Sequence, residues 1–169
     1  MQPWFQFYTA IAAGAAALLG LLFVSVSMNA GVILGANHDH SRRLAEQAFY
    51  NYFTVLLVAL LALYPSVTLS EFGLTTLGVT AVSAVLALVR FYLALTRPAE
   101  ARLYAVRRHF TSLIGFGLLI TAAVGMTFNT GDHRSLLATA LIVLMFSATT
   151  VSWELLFRIA RVKSPDSSR

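Results

Sequence analysis

A chain of 169 residues could form a soluble domain, but 58% hydrophobic residues, 11% charged residues and a mean hydropathy of +0.75 exclude water as its main solvent. The net charge of +5 raises nucleic acid as a partner, yet the sequence offers no platform of interleaved aromatic and basic residues, so that class is set aside. With no cysteine, disulfides, thiolate metal sites and cysteine nucleophiles are excluded as well.

Five apolar stretches take up most of the chain, over residues 7–32, 48–64, 74–95, 110–128 and 136–157. Each approaches the ~20 residues a helix needs to cross ~30 Å of hydrocarbon. The expectation is an all-α polytopic membrane protein: one domain over residues 1–163, built as a bundle of five transmembrane helices, followed by a flexible tail over 164–169.

No Lys or Arg precedes the first stretch, and no small-x-small cleavage site follows it. It reads as a retained span, not a secretory signal. Trp4, Phe5, Phe7 and Tyr8 suit an interfacial belt at its start. Ala12, Ala16 and Gly20 recur at fours, as do Ser27, Gly31 and Gly35, a spacing that lets helices approach closely within the chain or between copies. Ser25 and Asn29 add polarity near the end of this span.

The first connection holds "NHDH". His38, Asp39 and His40 are competent ligands, but residues two apart on a helix point away from each other, so an exposed, pH-sensitive loop is the better reading and no metal is expected. The second span is the shortest, with a re-entrant or tilted segment as the alternative; Gln47, Asn51 and Thr54 give it a polar face. A tight turn with Glu71 leads to the third span, where Thr76, Thr80, Ser83 and Arg90 fall on one face at steps of four and three. The connection "TRPAEARLYAVRRH" contains helix formers, so helix should extend beyond the bilayer there, with Pro98 as the break. Gly117, Thr121 and Gly125 form a small-residue row in the fourth span. The turn "NTGDHRS" carries Asp132, and the fifth span bears Thr139, Ser147, Thr150, Glu154, Arg158 and Arg161 near one face.

Spans two and three resemble spans four and five in layout, and "NYFTVLL" resembles "RHFTSLI". Convergence of apolar spans accounts for this more simply than an ancient repeat.

Of the twelve basic residues, all but Arg134 lie on alternate connections or the tail. Positive loops stay in the cytoplasm, which puts the N-terminus outside, the C-terminus inside and anionic lipids against the inner face. The location expected is a cell membrane, multi-pass, of the bacterial inner-membrane kind.

Arg90 is the costliest charge, because "FYLAL" follows it within the span. Two readings compete. Arg90 pairs with Glu154 between helices, with Asn51 and Asn29 completing the hydrogen bonding, or it snorkels to the head groups while Glu154 pairs with Arg158 one turn along.

No histidine lies mid-span to ligate haem, and no phosphate loop, G-x-S-x-G elbow or H-E-x-x-H occurs. Neither enzymatic chemistry nor a cofactor is expected. What remains is a channel-like homo-oligomer that conducts ions, with Ser83, Ser147 and Thr150 on hydroxyl-lined faces, Glu71 and Asp132 at an acidic outer mouth, and Arg90 or Glu154 at an inner constriction. The alternative is a non-conducting accessory or scaffold protein that binds a partner membrane protein or anionic lipid.

Overall fold

The computed structural model describes residues 2–33, 39–65, 68–95, 99–131 and 133–163, all of their regular structure helical. The helices are α1 (Gln2–Met28), the single turn α2 (Ala30–Ile33), α3 (Asp39–Leu63), α4 (Leu69–Leu95), α5 (Ala99–Thr127) and α6 (Arg134–Lys163). All but α2 are long and apolar enough to cross a membrane, giving the five expected spans. The second span, shortest by sequence, belongs to an unbroken helix of 25 residues rather than a re-entrant segment. Its polar first turns, "DHSRRLAEQ", hid its true length. Pro98, expected to break the chain between α4 and α5, lies outside the described residues.

Helix ends explain the tight turns. Thr68 and Glu71 form a capping box at the start of α4: the Glu71 backbone N–H donates to Thr68 Oγ1 (3.3 Å), and Glu71 Oε2 accepts from both the Thr68 backbone N–H (3.0 Å) and its hydroxyl (2.9 Å). At the end of α5, Asn129 adopts the left-handed region with φ 52°. The Thr130 N–H then reaches the Gly125 carbonyl (3.0 Å) and the Asn129 N–H that of Met126 (3.2 Å), closing a Schellman motif. In α1 the helix pauses at Asn29, whose side-chain amide donates to the Ser25 carbonyl (2.8 Å) and so competes with the backbone ladder.

Helices α3, α4, α5 and α6 form a closed ring in which α4 meets α5, α5 meets α6, α6 meets α3 and α3 meets α4. Helix α1 lies outside the ring against α3 and leaves Phe5, Leu21, Phe23, Val24 and Met28 exposed. That exposure suits a helix bathed in lipid, where apolar surface costs nothing. Two glycines stand where neighbouring helices touch. A Cβ on Gly73 would stand 2.6 Å from the Thr127 backbone nitrogen, and one on Gly115 would stand 2.8 Å from the Leu144 side chain.

The interior is divided along its length. At the end carrying the α3–α4 and α5–α6 turns, here the turn end, it is filled by Val55, Val58, Leu119, Met126, Leu137, Leu141 and Leu144. Toward the other, basic end, Leu22 and Ile33 pack with Leu44, Tyr52, Val151, Leu155 and Ile159. Polar side chains meet in the basic half of the ring.

Candidate functional site

Asn51, Gln47 and Thr54 share one face of α3 because steps of four and three return to nearly the same angle. That face looks into the ring. Gln47 Nε2 donates to Ser112 Oγ of α5 (3.2 Å), and Asn51 Nδ2 donates to the same oxygen (2.9 Å). Ser112 Oγ lies 2.7 Å from Ser147 Oγ of α6, which is 3.3 Å from Thr111 Oγ1. These groups are withdrawn from the surface, with Gln47 4% exposed, Asn51 2%, Ser112 1% and Ser147 0%.

The directions of these bonds follow from valence. A hydroxyl has two lone pairs and one proton. Two amide N–H groups occupy the lone pairs of Ser112, so its proton goes to Ser147. Asn51 also approaches Ser147 Oγ (3.4 Å), so Ser147 in turn passes its own proton toward Thr111. Turning both amides round would leave two carbonyl oxygens competing for the one Ser112 proton. With the amides placed this way, the order of donors runs from α3 through Ser112 to Ser147 and Thr111. Gln47 Oε1 is buried with no hydrogen-bond partner among the described residues.

Two further bonds tie α3 to its neighbours: Thr54 Oγ1 donates to Ser83 Oγ of α4 (2.8 Å), and the Tyr52 and Thr149 hydroxyls lie 3.0 Å apart between α3 and α6. Thr76 and Thr80 are also buried. The hydroxyl rows expected on spans three and five thus face the interior at Thr76, Thr80, Ser83 and Ser147. Thr150 does not; it is exposed and donates to the Ser147 carbonyl (2.8 Å).

Arg90 does find an interhelical carboxylate, and it is that of Glu46 on α3 instead of Glu154. Arg90 Nη2 lies 3.1 Å from Glu46 Oε2, while Arg42 Nε lies 3.0 Å from Glu46 Oε1. The Arg90 guanidinium also stands over the Tyr50 ring, 5.4 Å from its centroid, a cation–π contact. Glu154 pairs with Arg158 one turn along its own helix at 3.4 Å. The reason is the order of helices around the ring: α4 borders α3 and α5, and α6 lies across from it. Asn51 belongs to the serine node, and Asn29 bonds within its own helix, so neither completes the arginine's shell.

The remaining residues singled out by sequence fall in different surroundings. Glu71 is engaged in the α4 cap, and Asp132 lies outside the described residues. Among the small residues, Gly125 lies against the His133 ring, which a Cβ would strike. Gly20, Gly31 and Gly117 have nothing within 4 Å of a Cβ, and Ala16 is exposed, so these four are not close helix contacts within the chain. Gly35 and His38 lie outside the described residues. Among the described residues no group of three or more His, Asp or Glu is placed to hold a metal.

Sequence reasoning missed Ser112, Glu46 and the tight glycines Gly73 and Gly115. Signals for two of these were present. Ser112 stands on the same helical face as Phe116, Leu119 and Ala123, and Glu46 sits four residues after Arg42. Comparison of the chain with protein-family models, with curated proteins and with solved structures gives no match.

Proposed function

We propose that this multi-pass membrane protein is a non-conducting accessory component, a rigid bundle that presents lipid-facing helices and a basic end to anionic lipid or to a partner membrane protein. One observation carries the reading: Ser83, Ser147 and Asn51, the polar side chains best suited to line a path, are turned into the chain's own interior and bonded across it. A pore around an axis between copies needs such groups on an outer face. A path through the ring itself would meet Leu119, Met126, Leu141 and Leu144, all fully buried at the turn end. In hydrocarbon, polar groups committed to one another fix helix register and do not bind a passing solute. The exposed small residues Ala16 and Gly20 on α1, with Gly31 on α2, suit a neighbouring helix, from a second copy or from a partner. A bacterial inner membrane, with the basic end cytoplasmic, remains the setting this reading implies.

The test is flux. Purified protein in liposomes, scanned over voltage and pH, is expected to pass no more cations, anions or protons than protein-free vesicles. A conductance abolished by Ser147→Val or Thr150→Val would replace this reading with the channel.

A further inference from the structure

The Arg42–Glu46–Arg90 group is the strongest charged feature that the bundle's interior does not use. Glu46 divides its carboxylate, one oxygen to each guanidinium, and so fixes both arginines at the junction of α3 and α4. Arg43, the next residue along α3, is exposed and makes no ion pair with the described residues. Two guanidiniums therefore share one carboxylate, and with Arg43 beside them the described charges at this corner leave an excess of two positive. Each guanidinium carries five N–H donors. Arg42 spends its Nε–H on Glu46 and Arg90 spends an Nη2–H, and among the described residues their other N–H donors meet no further acceptor.

Position identifies that acceptor. Arg90 is 19% exposed and Glu46 39%, so the group lies at the edge of the span, partly open to the outside of the ring. Just toward the bilayer centre from it, Phe49 and Phe53 of α3 are exposed and stacked 5.7 Å apart, and Val82 and Val89 of α4 are exposed as well. A forked set of N–H donors with excess positive charge, directly above an apolar lipid-facing strip, matches a phosphate head group followed by an acyl chain. A free anion would use the donors and leave the strip uncovered.

We infer that Arg42, Arg43 and Arg90 form a binding site for the phosphate of an anionic phospholipid whose acyl chain lies over Phe49 and Phe53. This rests on the accessory reading only in naming the lipid it engages. The Glu46 carboxylate is a built-in competitor: it holds the guanidiniums in place and also neutralises part of their charge.

The test uses the full chain in detergent, titrated with phosphatidylglycerol or phosphatidylcholine and read by native mass spectrometry. Phosphatidylglycerol is expected to bind more tightly, and R42Q and R43Q each to lower that preference about five-fold, the effect of one basic residue near an anionic surface. R134Q, at the turn end, should leave it unchanged. Arg42 and Arg43 are exposed, so their variants fold even where an Arg90 variant does not. E46Q should raise the preference, because it removes the competing carboxylate. Equal binding of the two lipids, a preference untouched in the R42Q/R43Q double variant, or equal protection of the site by inorganic phosphate would overturn the assignment. Liposome flux is a separate readout, so a conducting protein that still selects phosphatidylglycerol fails the accessory reading and keeps the lipid site.

Discussion

Ser112 governs the polar node because it receives both amides and passes a proton onward, so its hydroxyl has no idle capacity. Single side-chain bonds between membrane helices contribute about 0.6 kcal/mol on average. Ser112→Ala breaks three contacts and strands two buried amide donors, so we expect a loss of about 1–3 kcal/mol in reversible unfolding from detergent micelles. A loss no larger than the single-bond average would mean the node is looser than its distances imply. From the sequence, Asn51, Ser83 and Ser147 were recognisable as interior groups because each interrupts an apolar helix. Their partners were not, because helical periodicity says which way a residue points on its own helix and nothing about the order of helices around the ring. The same gap assigned Arg90 to the wrong carboxylate.

For the helices themselves, length and polarity made all five spans legible, and the turns fell where the short polar segments around Glu71 and "NTGDHRS" interrupt the apolar runs. The capping box was equally legible in "TLSE", although Glu71 had been read as part of an outer mouth. Glycine was the least readable element signal. Rows at fours suggested close approach at Gly20, Gly31 and Gly117, where a Cβ would meet nothing, whereas Gly73 and Gly115, where chains do touch, stand in no such row. Close approach depends on where two axes cross, which one helix's spacing does not encode. This contrast predicts opposite signs. Gly73→Ala must displace Thr127 or Ala123 backbone and should cost about 1–3 kcal/mol. Gly117→Ala has free space and should gain up to about 1 kcal/mol from helix propensity. Melting temperatures in one detergent compare them directly, and a pair of shifts with the same sign would contradict the packing described here.

At the scale of the molecule, the even number of crossings between the α3–α4 and α5–α6 turns puts both turns on one side of the membrane, and Arg42 with the end of α6 on the other. Single cysteines introduced at Ser70 and Thr130 should therefore react together with an impermeant reagent added from one side, and one at Arg43 only from the opposite side. Labelling of Ser70 and Arg43 from the same side would remove a span. The ring also has an order of assembly written into it. Neighbours α3 to α4, α4 to α5 and α5 to α6 are consecutive in the chain, but the contact that closes the circle joins α3 to α6. Ribosomes deliver the chain from its N-terminus, so Tyr52 and Asn51 are in the membrane before Thr149 and Ser147 exist. Until the last segment arrives, the nascent protein is an open arc whose amides and hydroxyls still lack their partners on α6.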